Sequence, residues 1–268
     1  MPGSDENYII WMDTSPPDHP FSRLEMLVGS EPLKALADAR VVLFGVGGVG
    51  SWCAEGLVRS GICKLTLVDS DVVSVTNINR QMPATSLTIG RPKVDVAGQR
   101  LREINPDADI VTIHRQYHWE VKDEFDLGAY DYVIDAIDSL SSKVELIINA
   151  SASGAALFSA LGAACKVDPS RVRTGSIWKT DKCRLGRFVR KRLRRRGFDG
   201  DFQCVWSDEP SYIPTNKSVN GSLVHVTGVF GFMLAGLVVQ DIVSKVKQRL
   251  DGVDGDDAGD INQPGNDS

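Results

Sequence analysis

The chain has 268 residues, 42% of them hydrophobic, which suits one large α/β domain or one domain with an appendage. Its formal net charge of −5 is unevenly distributed: residues 1–20 contain four acidic and no basic residues, and residues 251–268 contain six aspartates and no basic residue. Residues 21–250 therefore carry a net charge of +5. That charge is compatible with an anionic partner and does not require one.

The cysteine pattern argues against one common kind of metal site. None of the five cysteines forms a C-x-x-C pair, so a zinc site built from four thiolates is not expected. The first residues also lack the basic and apolar regions of a secretory signal peptide. We therefore expect reduced thiols and a cytoplasmic protein.

Order is predicted to begin after a proline-rich, disordered N-terminus of residues 1–20. The segment Phe21–Gly29 has a partly apolar face, and Arg23 within it is interpreted from the residues alone as a solvated helix charge. A second short helix is expected over Glu31–Ala39, leading into the first strand.

The segment from Val41 to Gln81 has the pattern of a nucleotide-binding βαβ unit. A buried strand over Val41–Phe44 runs into a glycine-rich turn, a helix follows to Ser60, and a second strand, Lys64–Val68, ends at Asp69. Glycines let the backbone approach a phosphate at a helix N-terminus, and an acid closing the next strand can accept from ribose hydroxyls. The glycines of the turn are Gly45, Gly47, Gly48 and Gly50.

Polar residues follow the second strand, at the sheet edge where ligands of doubly wound folds bind. They are Asp71, Asn77, Asn79, Arg80 and Gln81. Further on, a helix is predicted from Pro92 to Ile104, which puts Lys93 near its start. A cation is unfavourable to the helix dipole there, so Lys93 indicates an anion nearby, with a plain surface lysine as the alternative.

Strands and helices alternate beyond this point, which predicts an α/β fold: a Rossmann-like, mainly parallel sheet with helices on both faces. Strands are expected over Asp109–His114, Tyr132–Ile137 and Ala156–Ala160. Asp135 and Asp138 lie at the end of the second of these, where an acid either caps the next helix or, in a phosphate site, holds magnesium.

The C-terminal part is predicted to carry a basic helical insertion at about residues 179–198, after a strand over Arg173–Trp178. Ten Lys or Arg against one acid, Asp181, lie between residues 179 and 196, and apolar residues recur among them at helical spacing. Like charges in such number repel one another, and an RNA backbone would relieve that repulsion; a solvated helix face is the alternative.

The end of the chain is predicted to form one long apolar helix over Leu223–Leu250, after a strand and turn over Gln203–Glu209. Polar residues and glycines interrupt the helix, so we interpret it as a buried or dimer-forming helix and expect no membrane span. The expected organisation is one domain over residues 21–250, followed by a disordered acidic tail over 251–268.

Four motifs occur in an order and spacing that resemble the nucleotide-binding core of the ubiquitin-activating-enzyme-like adenylyltransferases. They are GVGGVGSW, LVDSDVVSVTNINRQ, GRPKVDV and DAIDS. Four later segments resemble one branch of that superfamily, the tRNA threonylcarbamoyladenosine dehydratases. These are GAACKVDPS, KTDKCRLGRFVRKRLRRRGF, CVWSDEP and NGSLVHVTGVFGF.

The resemblance implies an ATP- and magnesium-dependent enzyme that activates the threonyl carboxylate of a modified adenosine beside the tRNA anticodon, in the family pattern as an acyl-adenylate, and cyclises it with loss of water. By the same resemblance, the Gly45–Gly50 turn cradles ATP and Asp69 holds its ribose. The remaining implied ATP-site residues are Asp71 and Asn77 as phosphate-arranging residues, Arg80 and Lys93 as neutralising cations, Asp138 as the magnesium ligand, and Gln81 as a support of the loop.

The resemblance also implies partners. Arg23 matches an arginine that such enzymes insert across a homodimer into the partner's ATP site, which replaces the interpretation as a solvated charge. The basic helix is expected to bind tRNA through Arg190, Lys191, Arg192, Arg194, Arg195 and Arg196. A sulfur-transfer protein is a further candidate partner.

Three other functions share parts of the pattern. An enzyme activating a ubiquitin-like sulfur carrier would have the same ATP site but no need of ten cations. An NAD-dependent oxidoreductase would leave Arg80, Lys93 and Asp138 unexplained. A non-catalytic subunit of an adenylating heterodimer would tend to lose those cations. A thioester on Cys165 or Cys204 is the alternative to a mechanism without a protein nucleophile.

Overall fold

Short apolar segments of the chain form one seven-stranded sheet in a computed structural model that describes residues 19–212 and 220–256. The strands are β1 (Arg40–Phe44), β2 (Lys64–Val68), β3 (Asp109–Ile113), β4 (Tyr132–Asp135), β5 (Ala156–Ala160), β6 (Val172–Ser176) and β7 (Gln203–Ser207). Their order is β3-β2-β1-β4-β5-β7-β6, and every neighbouring pair is parallel except β6 and β7. The predicted mainly parallel sheet is confirmed.

Seven helices connect and cover these strands in the described residues. They are α1 (Ser22–Val28), α2 (Ser30–Asp38), α3 (Gly50–Arg59), α4 (Lys93–Ile104), α5 (Leu140–Ser153), α6 (Arg184–Arg195) and α7 (Val224–Asp256). Helices α2, α3, α4 and α7 supply the apolar core on one face of the sheet, and α5 and α6 supply the core on the other. This arrangement confirms helices on both faces.

Several boundaries differ from the prediction for local reasons. Strand β4 ends two residues early, because the Asp135 carboxylate accepts a hydrogen bond from the Ile137 amide (3.1 Å) and turns the chain. Strand β6 ends at Ser176, whose hydroxyl caps a short 3₁₀ turn. Helix α7 continues to Asp256, so the first six residues of the predicted disordered tail are helical. The rest of that tail and residues 1–18 lie outside the described residues.

Helix α7 is long and apolar enough to cross a membrane by length and composition alone, and half of its most apolar stretch is buried within the protein. It packs closely on α3: a Cβ placed on Gly231 would lie 2.5 Å from the Val49 carbonyl oxygen and 2.8 Å from the Cys53 amide nitrogen. Phe230 and Leu234 on either side are fully buried. The helix therefore belongs to the core, as the sequence predicted.

Candidate active site

The glycine-rich turn lies at the C-terminal end of β1 and leads directly into α3. Gly45 has a φ of +93°, and a Cβ there would lie 2.7 Å from the Ala136 carbonyl oxygen. A Cβ on Gly50 would collide with the Gly45 carbonyl oxygen. These two glycines therefore shape the turn itself, because a side chain at either position would force the backbone apart.

The other two glycines lie beside polar side chains. A Cβ on Gly47 would meet the Gln81 amide nitrogen only at 3.9 Å, and one on Gly48 would lie 3.3 Å from Cγ of Arg80. The turn thus presents bare backbone next to an arginine and an amide, at the N-terminus of a ten-residue helix. That combination suits a bound phosphate.

Asp69, at the end of β2, ties the second strand to the glycine turn. One carboxylate oxygen accepts from the Val46 amide (2.6 Å), and the other accepts from the Asp71 amide (2.8 Å). Burial raises the pKa of Asp69 above its ordinary value, and the two backbone donors oppose that shift. Each oxygen retains a free lone pair for a ligand hydroxyl, as a ribose acceptor needs.

The segment after β2 is held rigid by its own side chains. Asn77 is buried and its side-chain oxygen accepts from the Ser74 amide (3.0 Å) in a capping box. The Arg80 guanidinium donates to the Thr76 carbonyl (2.8 Å), and the Arg80 carbonyl accepts from the Trp52 indole (3.0 Å). These contacts fix the arginine beside the glycine turn.

Lys93 forms an ion pair with Asp71 in which the lysine is buried and the aspartate is exposed. Its side chain is 6% exposed, and its ammonium lies 2.7 Å from a carboxylate oxygen of Asp71, which is 66% exposed. The burial excludes the alternative of a plain surface lysine. A buried ammonium with one exposed partner can donate to a phosphate oxygen without moving far.

Gln81 supplies an unsatisfied acceptor next to the same turn. Its side chain is buried, and its amide oxygen is the single buried side-chain polar atom without a hydrogen-bond partner in the described part of the chain. Buried polar atoms are nearly always paired, so a vacant acceptor here fits a site completed by a ligand donor.

The two aspartates of the DAIDS motif have different surroundings. Asp135 is fully buried and paired with Lys143 at 2.6 Å, and the Ser159 hydroxyl donates to the same carboxylate oxygen. Asp138 is exposed and forms no hydrogen bond or ion pair with the described residues. Only Asp138 is therefore free to contact a metal, and Asp135 is structural.

Sequence reasoning missed Lys143. The residue lies one turn into α5, on the helix face that packs against the sheet, and its ammonium also donates to the Ala160 carbonyl (2.8 Å). A lysine on a buried helix face, eight positions after a strand-end aspartate, was the available indication of this pair.

Helix α6 carries seven cationic residues among its twelve, and two of its apolar residues, Val189 and Leu193, are fully buried on its inner face. Most of the predicted RNA-binding cations are exposed. Two have partners: the Arg190 guanidinium donates to the Thr180 hydroxyl, and Arg196 pairs with Glu145 at 2.5 Å. The Arg194 guanidinium stacks over the Trp178 ring at 5.1 Å. Helix α6 therefore contributes its apolar face to the core and exposes its basic face at the surface.

Arg23 lies away from the glycine turn of its own chain. Its neighbour Leu24 lies beside Gly61, just before β2 begins: a Cβ on Gly61 would be 3.4 Å from Cδ2 of Leu24. The candidate site lies at the other end of the strands. Arg23 is exposed, and within the described residues no hydrogen bond or ion pair engages it.

The two cysteines considered as nucleophiles, Cys204 and Cys165, have different surroundings. Cys204 is fully buried in β7, where burial raises the pKa of its thiol to about 12. Such a thiol is almost entirely protonated at neutral pH and is a poor nucleophile. Cys165 is half-buried in a left-handed backbone conformation (φ +60°) near Asn220.

Comparison with protein-family models assigns the chain to a family: the model of the ThiF family matches residues 21–255. The chain belongs to the ThiF family. Among curated relatives, the tRNA threonylcarbamoyladenosine dehydratase of Bacillus subtilis is 36% identical over 245 residues, covering 85% of this chain and 96% of the relative. The molybdopterin-synthase adenylyltransferase of Salmonella typhimurium is 34% identical over 116 residues, covering 43% of this chain and 46% of the relative.

Solved structures of another ThiF-family protein match the whole fold. The crystal structures of Escherichia coli tRNA N6-threonylcarbamoyladenosine dehydratase, TcdA, in complex with AMP and with ATP are each 32% identical to this chain. Their TM-scores are 0.81 and 0.80, and each alignment covers 85% of this chain and 96% of the solved one. The family and branch predicted from the motifs are confirmed.

Proposed function

We propose that this ThiF-family protein is an ATP-dependent tRNA threonylcarbamoyladenosine dehydratase. The observation that carries the proposal is the extent of the similarity: the match to the bacterial dehydratases spans nearly their full length, whereas the match to the sulfur-carrier type of enzyme is confined to less than half of either chain. The same observation favours the dehydratase over the activation of a ubiquitin-like sulfur carrier.

ATP is the proposed nucleotide. The glycine turn would receive its phosphates, and Asp69 would accept from its ribose. The guanidinium of Arg80 and the ammonium of Lys93 would offset the phosphate charge, while Asn77 and Asp71 hold the loop and the lysine in place. Support comes from the bare backbone at Gly47 and Gly48 and from the vacant acceptor of Gln81.

Magnesium is proposed as the metal, with Asp138 as its protein ligand. No group of three or more potential metal-ligating side chains occurs in the described part of the chain. That fits magnesium, which is commonly bound by one or two carboxylates together with substrate phosphates and water. The metal would supply further neutralisation of phosphate charge.

The residues suit carboxylate activation because a carboxylate that attacks ATP must approach a polyanion. Cations fixed in advance lower that barrier, since they need not reorganise during the reaction. Once the threonyl carboxylate is activated, the carbamoyl group of the same nucleotide closes on the activated carbon, and the carboxylate oxygen leaves with the phosphoryl group. Ring closure is intramolecular, so proximity supplies much of the rate and no protein nucleophile is needed.

Three finer proposals accompany the main one. The protein is a homodimer in which Arg23 reaches the partner's ATP site, supported by its exposure and its position at the far end of the strands from its own site. It is cytoplasmic, and it accepts a sulfur-transfer protein as an additional partner. The cytoplasmic location rests on the proposed tRNA-modifying function, and the sulfur-transfer partner rests on the family resemblance.

Nucleoside analysis tests the function directly. Purified protein, ATP, magnesium and tRNA bearing threonylcarbamoyladenosine should yield the cyclic nucleoside, lighter by one water, in a mass-spectrometric digest. Omission of ATP should abolish the product. Formation of product without ATP, or turnover that requires a nicotinamide cofactor, would refute the proposal.

A further inference from the structure

A cavity of about 330 Å³ lies between the loop after β3 and the helices α5 and α6. It is outside the glycine turn and none of the residues assigned to ATP lines it. Its lining includes His118, Trp119, Ser141, Glu145, Arg192 and Arg196. The volume is in the range of small-molecule sites and is large enough for a planar ring.

Trp119 is the unusual member of this lining. The residue is 67% exposed, and its indole has no ring contact, cation–π contact or hydrogen bond within the described part of the chain. The other three described tryptophans each donate from the indole: Trp52 to the Arg80 carbonyl, Trp178 to the Gly200 carbonyl and Trp206 to Asp181. Trp119 alone among these four presents a free aromatic face.

The loop that carries this indole is anchored from below. Tyr117, two residues earlier, is buried and stacks edge-on against Phe44 at 5.0 Å and lies 5.4 Å from the Phe125 ring. Its hydroxyl accepts from the Asn149 side chain of α5 (2.8 Å). A platform fixed this way loses little conformational entropy when a ligand stacks on it.

Cations stand beside the platform. Arg192 and Arg196 belong to the basic surface of α6 and line the same cavity. Glu145 orients Arg196 through their 2.5 Å ion pair. The guanidinium of Arg192, in contrast, forms no ion pair with any described residue. An exposed aromatic face next to guanidinium groups is the arrangement by which proteins bind unpaired nucleotides: the base stacks and the phosphate is neutralised.

The cavity also lies near the proposed magnesium ligand, Asp138. Ser141, in the first turn of α5, lines the cavity and follows Asp138 by three residues, so at most about 11 Å of chain separates them. We propose that Trp119 is a stacking platform for an unpaired nucleotide of the tRNA anticodon loop, next to the nucleotide that is modified. This inference rests on the proposed function, which supplies the RNA.

The test compares Trp119→Ala and Trp119→Phe in binding an anticodon stem-loop, measured by the anisotropy of labelled RNA without ATP. Loss of one base stack should raise the Kd of the alanine variant roughly 5- to 150-fold, while phenylalanine retains most of the affinity. The KM for tRNA should rise in parallel, and the Kd for ATP should stay unchanged. Leu250→Ala, another exposed apolar residue, on α7, is the control and should bind as wild type.

Replacing single loop nucleotides of the stem-loop with 2-aminopurine identifies the stacked base. Its fluorescence should be quenched in complex with wild type at one position and recover with Trp119→Ala. If Trp119→Ala binds the stem-loop with wild-type affinity, the proposed stacking role of Trp119 is wrong. The exposed indole would then be interpreted as a contact surface for a protein partner. Because binding is measured without turnover, a wild-type protein that binds RNA but forms no cyclic product would overturn the proposed function alone.

Discussion

Two lysine–aspartate pairs show how burial separates a ligand-facing contact from a structural one. In the Lys93–Asp71 pair the lysine is buried and the aspartate is exposed, so a phosphate can approach the ammonium. In the Lys143–Asp135 pair both side chains are completely buried, and the surrounding hydroxyl and carbonyl groups satisfy the remaining polar atoms. The proposed role of the first pair requires it to exchange partners during catalysis, whereas the second holds the end of β4.

Lys93→Ala is expected to lower kcat/KM for ATP-dependent cyclisation by roughly 100-fold or more, because a fixed charge on the phosphates is lost. Product is quantified by nucleoside mass spectrometry at varied ATP. Lys64→Ala, an exposed lysine that also pairs with an aspartate, is the matched control and should retain activity. Wild-type turnover by the Lys93 variant would contradict the assignment.

Lys143→Met should destabilise the fold by about 3–5 kcal/mol, because it leaves the Asp135 carboxylate buried without its counter-ion. Chemical denaturation measures the loss of unfolding free energy. The double variant Lys143→Met with Asp135→Asn removes both charges and should recover part of the loss. A double variant no more stable than the single one would argue against the buried charge as the cause.

At the scale of elements, α7 packs directly against the glycine turn. Gly231 lets α7 approach α3 so closely that the Val49 carbonyl, within the turn, lies against the helix. Gly236, one and a half turns later on the same helix, faces open space: a Cβ there would have no described atom within 4 Å. The two glycines therefore have opposite consequences for the same substitution.

Gly231→Ala is expected to lower both stability and ATP affinity, since the new methyl group would meet backbone atoms of α3 and of the turn. Gly236→Ala should leave ATP binding intact and stabilise the helix by up to about 1 kcal/mol. Thermal unfolding and ATP titration of both variants measure the contrast. Equal behaviour of the two would mean that the close crossing does not support the site.

Helix α6 should act on RNA and leave nucleotide binding unchanged. Arg194→Glu with Arg195→Glu is expected to weaken tRNA binding strongly and to flatten its dependence on salt, because phosphate contacts release counter-ions. Lys247→Glu with Arg249→Glu, an equal charge change on exposed positions of α7, is the control. Unchanged tRNA affinity in the α6 variant over a salt series would count against the basic surface.

For the whole molecule, the sequence predicted the alternation of strands and helices, because buried strands and glycine turns are encoded locally. The predicted bounds of β1, β2 and β5 agree with the observed bounds to within one residue. The contact of Arg190 with Thr180 was not predictable, because it depends on which residues another element brings near. The spacing of Lys143 from Asp135 gave only an indication of their pair, because its complete burial depends on how α5 packs against the sheet. The antiparallel pairing of β6 with β7 likewise depends on the path of α6 between them.

Mixing two inactive variants tests whether the active assembly is a dimer with shared sites. If Arg23 acts in the partner's site, Arg23→Ala and Lys93→Ala should each be inactive alone. A mixed dimer should contain one site with both native residues, so equal mixing and re-association should restore about one quarter of wild-type activity. Failure of the mixture to recover activity would refute action across the dimer.

The contact between Gly231 and Val49 also bears on the order in which the protein matures. The glycine turn is synthesised before the helix that supports it, because a chain is made from its N-terminus and α7 lies far downstream of the turn. The turn therefore lacks this support until α7 has been synthesised. We therefore expect the proposed ATP site to become competent only after α7 has packed, so that an unfinished chain would not compete with the finished protein for ATP.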